Sequence, residues 1–183
     1  MRPLSRTSSR ILTTVLSALF GALLFTTQVV FAPLPNIEPD SLLILVWTRV
    51  FGFGALPGIA VFVLLEGLFY GFGIWWISYL YIWFVLWAAV MLIPHAKTPL
   101  SARGKLVSAF GWAVLSGAYG FAFGALTAIP WWFRGGFSTA VAYWLSGIPF
   151  DVAHAVGNFA LALLLSVPLI ELLAKLKKSI RAR

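Results

Sequence analysis

The stretch Ile11 to Phe31 carries no charged side chain and is long enough to matter. At 1.5 Å of rise per residue a helix over it crosses the roughly 30 Å of a bilayer's hydrocarbon core. Arg2, Arg6 and Arg10 precede it, as they would precede a secretory signal. A signal core, however, spans only about 7–15 residues, and Ala32-Pro33-Leu34-Pro35 makes a poor cleavage site. The expectation is a retained membrane helix. Further apolar stretches follow, so that 61% of the 183 residues are apolar and 10% charged, against about 45–50% and about 25% in a soluble domain. One core cannot hide that much apolar surface, and disorder needs the opposite composition. The chain is expected to be an all-α integral membrane protein, a single membrane domain over residues 1–183.

Punctuation divides the remaining chain. Three prolines between Ala32 and Asp40 cannot continue a helix through lipid, and Asp40 and Ser41 then offer N-caps. Spans are expected over about 11–31, 41–53, 56–70, 74–92, 107–129 and 149–173. The Gly-rich Phe51-Gly-Phe-Gly parts the second from the third; the alternative is one long tilted helix with Arg49 inside it. Pro130 closes the fifth span. Residues 138–145 are expected as a short interfacial helix, and Ser146-Gly-Ile-Pro149-Phe-Asp151 as a helix start.

The net charge of +8 would suggest nucleic acid on a soluble chain. Here it fixes orientation instead. With six spans and an inside N-terminus, the inner side receives the N-terminal arginines, Arg49, the cluster Lys97, Arg103 and Lys105, and the tail from Lys175 to Arg183. The outer side receives only Arg134. The positive-inside rule therefore favours six crossings with both termini cytoplasmic. The outer loops are then 32–40, 71–73 and 131–146.

Several chemistries are excluded. The absence of Cys removes disulfides and thiolate metal sites. There is no P-loop, no HExxH, no GxSxG and no paired-carboxylate motif. No internal repeat suggests a transporter built from inverted halves. No catalytic residue is expected.

Ionisable groups in lipid are costly and mark function or a buried pair. Glu66 lies near the outer end of the third span. Asp151, His154 and Asn158 follow one another at i, i+3 and i+7, on one helix face at the start of the last span. This face reads either as the polar lining of an outward-facing pocket or as structural hydrogen bonding between helices. Asp151 and His154 supply two metal-ligand types, but nothing else stands at ligand spacing. Aromatic residues gather on the same side. Tyr70, Trp75 and Tyr79 flank the third loop, and Trp131, Arg134 and Tyr143 lie in the fifth. They read as an interfacial belt or as walls of a pocket with a few orienting polar groups. Asn36, Glu38 and Asp40 form either a lid over that pocket or an ordinary solvated loop. Ala18-Leu-Phe-Gly-Ala22 and Gly120-Phe-Ala-Phe-Gly124 are small-residue patterns that let helices approach closely.

Together these features resemble the substrate-binding (S) components of energy-coupling factor vitamin transporters. The resemblance covers nearly the whole chain. It rests on six short spans, basic termini inside and the Ala18-xxx-Ala22 pattern. Pro35-Asn-Ile-Glu-Pro39-Asp-Ser, Tyr70-Gly-Phe-Gly-Ile-Trp-Trp and Gly147-Ile-Pro-Phe-Asp-Val-Ala-His154 look most like the cobalamin-specific type of lactic-acid bacteria. The resemblance implies a non-enzymatic capture subunit in a bacterial cell membrane. It implies that Ala18 and Ala22 dock onto a transmembrane coupling subunit driven by two ATPase subunits. It implies too that the subunit topples in the membrane to deliver its ligand. Ligand would then bind between the outer halves of the helices, with no resident cofactor. A wide aromatic cavity with few charges suits cobalamin, whose phosphate Arg134 would meet. Thiamin suits Trp, Glu66, His154 and Asn158, since its cation wants an acid and a ring. The reading of another class is a small membrane enzyme or proton-coupled carrier using Asp151, His154 and Glu66.

Overall fold

Proline and glycine mark the joints of the structure, as their backbone limits require. The computed structural model describes the backbone of residues 6–34, 37–94 and 101–181, and the side chains from 11 to 180 within those ranges. Asn36, His95 and Lys97 lie outside the described residues. Among the described residues there is no strand. The helices are α1 Arg6–Phe31, α2 Asp40–Phe51, α3 Leu56–Tyr70, α4 Ile74–Leu92, α5 Ala102–Thr127 and α6 Ile129–Arg181, with a 3-10 turn at Gly52–Ala55 between α2 and α3. Five stretches are long and apolar enough to cross a membrane: Ile11–Phe31, Asp40–Tyr70, Ile74–Leu92, Ala102–Thr127 and Ile129–Ile180. The second of these contains α2, the turn and α3 together.

Side-chain contacts give each helix its direction. Thr27 touches Asp40 and Phe20 stacks on Trp47, so α2 runs antiparallel to α1. Gly58 lies against Ser17 and Phe20, while Phe69 and Tyr70 lie against Phe25, so α3 runs parallel to α1. The chain thus reverses in the 3-10 turn, as the Gly-rich punctuation predicts. Trp76 bonds the Val63 carbonyl and Trp87 the Gly52 carbonyl, which sets α4 antiparallel to α3. Tyr81 bonds the Leu126 carbonyl and Tyr119 the Ile82 carbonyl, which turns α5 back again. Asp151 meets Gly124 and Glu171 meets Lys105, so most of α6 returns beside α5.

Two glycine seams let helices touch backbone to backbone. A Cβ at Gly21 would stand 2.7 Å from the Gly58 carbonyl oxygen, and one at Gly120 would stand 2.9 Å from the His154 carbonyl. The Gly120-xxx-Gly124 pattern is therefore the α5–α6 seam. Ala18 and Ala22, by contrast, are exposed on the far side of α1.

The structure corrects the reading in three places. Residues 131–146, expected as an outer loop with a short helix at 138–145, are helical within α6, and Pro149 lies inside that helix rather than at its start. Lipid cannot satisfy free backbone groups, so helix persists where proline alone argues for a break. The actual interruption is Gly136, at φ 82° and ψ 174°, a conformation essentially confined to glycine. Asp40 does not cap α2; Pro39 takes the cap position and makes no side-chain bond there. Asp40 instead accepts a 2.7 Å bond from the Thr27 hydroxyl, tying α1 to α2. The fifth span, expected over 107–129, begins earlier: Ser101 caps α5 by accepting a 3.1 Å bond from the Gly104 N–H.

The core is a column of rings and branched side chains. Phe62, Tyr79 and Tyr119 surround the fully buried Trp83, and Phe20 stacks on Trp47 with centroids 4.3 Å apart. Outside it, Leu, Val and Phe side chains such as Leu19, Leu68, Val107 and Leu164 are exposed. Lipid is the medium in which that surface costs nothing. Charge is segregated by end. Arg49 lies over Trp112, Lys177 over Phe51, and Lys105 pairs with Glu171, all at the end where α2, α4 and α6 finish. Glu38, Asp40, Glu66 and Asp151 lie at the other end.

Candidate functional site

Two cavities open at the acidic end, on either side of a wall made by Trp75 and Tyr79. That wall exists because α4 begins immediately after Gly71 turns the chain at φ 89°, which puts both rings on its first two turns. Their rings meet edge to face at 5.2 Å.

The first cavity, about 420 Å³, lies between the ends of α1 and α3 and the start of α4. Glu38, Glu66, Tyr70, Trp75 and Tyr79, five of the residues singled out in the sequence, line it. Glu66 is 1% exposed, and its Oε1 has no hydrogen-bond partner. Asp40 is fully buried beside Thr27, and its carboxyl interacts with that of Glu38. Gln28 donates 2.9 Å to the Tyr79 hydroxyl, and its own carbonyl oxygen is buried without a partner. Among the described residues no Lys or Arg forms an ion pair with these carboxylates within 4.0 Å. Burial raises the Glu38 carboxyl above the usual carboxylate range, and a hydrogen bond with Asp40 pulls the other way. Gln28 and Phe31 also line the cavity and were not singled out from the sequence. The signal was present: Gln28 is the one amide in the apolar run of α1.

The second cavity, about 440 Å³, lies between α4, the end of α5 and α6. Tyr143 and Asp151 line it with Phe123, Thr127, Ser146 and Phe150. Asp151 is 5% exposed; its Oδ1 accepts a 2.9 Å bond from the Gly124 N–H, and its Oδ2 is free. Gly124 is needed for that approach, since a Cβ there would fall 2.1 Å from Oδ2.

The remaining expected residues lie elsewhere. His154 is buried edge-on to Phe123 at 4.8 Å, with neither ring nitrogen bonded, and lines neither cavity. Asn158 donates 3.1 Å to the Ser41 hydroxyl and acts between helices. Trp131 stacks on Tyr143 at 5.1 Å, and exposed Arg134 lies 5.8 Å over the Trp131 ring. Neither lines either of these two cavities. Among the described residues no group of three His, Cys, Asp or Glu side chains is arranged to hold a metal ion.

Comparison of the chain with protein-family models, with curated proteins and with solved structures finds no match. The functional reading therefore rests on the site itself.

Proposed function

We propose that this chain is a membrane capture subunit that takes a small organic cation into the first cavity. One observation carries the reading. A carboxylate that is 1% exposed and has an oxygen without a hydrogen-bond partner, Glu66, lines an aromatic-walled cavity at the acidic end of the bundle. An Asp at a bilayer helix's centre costs about 2.5–3.5 kcal/mol to insert, and a buried carboxylate without a partner is uneconomical unless a ligand supplies one. Rings of Tyr70, Trp75 and Tyr79 add the cation–π half of such a site. A cavity of about 420 Å³ falls in the range that encloses a drug-sized ligand.

The resemblance to S components of energy-coupling factor transporters supplies the setting. In this reading the chain crosses the membrane six times with both termini cytoplasmic, in a bacterial cell membrane. The alternating directions of α1 to α6 support an even number of passes, and the basic end then faces inward. Exposed Ala18 and Ala22 offer the docking face for the coupling subunit. ATP hydrolysis belongs to partner subunits, so the chain itself is not an enzyme. Among vitamins, thiamin fits the acid-and-ring lining best. Cobalamin is the second reading, favoured by the shared Trp75–Tyr79 wall: movement of those rings would join the two cavities into one wide enough for a corrinoid.

Equilibrium dialysis of the purified protein against labelled thiamin and cobalamin tests this. Saturable thiamin binding supports the small-cation reading. Saturable cobalamin binding alone replaces it with the second. Binding of neither, in protein that remains monodisperse, removes vitamin capture altogether.

A further inference from the structure

The hairpin where α5 passes into α6 carries a third concavity, of about 200 Å³, that shares no lining residue with the other two. Its lining is of a different kind. Ala125, Ala128 and Ala140 leave the space open, and the rings of Trp132, Phe137 and Trp144 border it. Among the described residues no charged or hydroxyl side chain lines it. Trp132 and Phe137 are exposed, so it is a groove rather than a closed void.

The depth of this groove follows from the bonds around it. Tyr81 and Ser78 bond the Leu126 and Thr127 carbonyls, which levels the end of α5 with the first turns of α4. Ser78 lies about 6 Å inside the start of α4 at Ile74, and Arg134 lies about 10 Å beyond Thr127, both at 1.5 Å of rise per residue. Arg134 therefore stands a few ångström outside the apolar core, within a headgroup layer roughly 5–8 Å deep. The chain then turns back at Gly136, and Tyr143 stacks on Trp131. Arg134 is exposed, two residues from Trp132 and three from Phe137, with its guanidinium 5.8 Å over the Trp131 ring. Among the described residues no carboxylate lies within 4.0 Å of it, and it is the one Lys or Arg at the acidic end.

We propose that this groove holds one anionic phospholipid, with its phosphate on Arg134 and one acyl chain between Trp132, Phe137 and Trp144. An apolar channel beginning at headgroup depth suits an acyl chain, which needs no polar partner. A guanidinium at its mouth supplies a paired donor fork for phosphate. Zwitterionic lipid would bring a second, positive group to the same arginine and bind less well.

The test uses phosphatidylglycerol carrying a diazirine in one acyl chain, cross-linked to the full chain in nanodiscs and mapped by mass spectrometry. The expected result is saturable labelling of residues 125–144, displaced at least tenfold better by unlabelled phosphatidylglycerol than by phosphatidylcholine. Arg134→Gln should abolish that headgroup preference, and Phe137→Ala should reduce labelling by either lipid. Both side chains are exposed, so both variants should fold. Labelling of the exposed face of α1 in the same sample is the internal control and should not change. Labelling spread evenly over the apolar surface overturns the site and leaves annular lipid only. Labelling of 125–144 without headgroup preference, or with a preference that survives Arg134→Gln, overturns the anionic class. Cross-links there between two copies of the chain, with no lipid adduct, replace the lipid by a dimer.

Discussion

Asp151, His154 and Asn158 come from one face of one helix, whereas Glu38, Asp40 and Glu66 come from a loop, the first turn of α2 and the last turns of α3. Both groups are enclosed at the same end of the bundle, but they are enclosed differently. The single-helix stripe is pressed against α5 by Gly117, Gly120 and Gly124, so most of it has no room for a ligand. Asn158 is spent on Ser41, and His154 is packed on Phe123. Glu38 and Glu66 instead border open volume, with Asp40 buried beside them. A polar stripe on an apolar helix therefore marks burial, and only convergence from several elements marks a site.

The difference can be broken in order of effect. Glu66→Gln removes the charge that a bound cation would neutralise. Truncating one member of a desolvated charge pair costs about 2–5 kcal/mol, so affinity for thiamin should fall at least tenfold while the melting temperature holds or rises. A calorimetric titration checks it. Gly120→Val tests the seam instead. Its Cβ would strike the His154 carbonyl at 2.9 Å and the Ala155 Cα at 3.0 Å, both backbone atoms that cannot swing away. Overpacking of this kind costs about 1–3 kcal/mol, read as a lower melting temperature in detergent. Trp75→Ala removes one ring of the shared wall and about 0.5–2 kcal/mol of cation–π attraction, a several-fold loss of affinity. Asn158→Ala breaks one interhelical bond, worth about 1 kcal/mol, and should lower stability without changing affinity.

Acidity sharpens the comparison further. Because burial raises the Glu38 carboxyl, its proton competes with a bound cation from above the ordinary Glu range of about 4.3. Affinity should be full at higher pH and fall as pH drops through the raised value. The fold responds with the opposite sign: a raised acid favours the folded state at low pH and disfavours it as pH rises. Glu38→Gln should reduce both trends, as affinities and melting temperatures measured between pH 4 and 8 would show.

Much of the bundle is legible in the sequence for a physical reason. Lipid demands long apolar helices, so their joints show as prolines and glycines, and Gly71, Gly52 and Pro130 all stand where the chain turns or restarts. Residues 131–146 are misread because glycine and proline suggest a loop, whereas the apolar medium keeps the backbone helical until Gly136 and beyond it. Of the first cavity, Glu66, Tyr70, Trp75 and Tyr79 are legible as polar or aromatic groups near one end. Gln28 stands out as the one amide of α1, but its bond to Tyr79 is not legible, and neither is the burial of Asp40 against Thr27, because both depend on α1 packing parallel to α3 and antiparallel to α2. Arg134 shows the converse. It is conspicuous as the one base expected outside, yet its neighbour is Trp131 and it lines neither of the two cavities described.

The most direct test of the central claim is the quenching of tryptophan fluorescence by thiamin in the intact protein and in Glu66→Gln, since Trp75 lines the proposed site. The account predicts saturable quenching in the intact protein that is lost or displaced at least tenfold in the variant. Quenching of equal strength in both, or none in either, would contradict it.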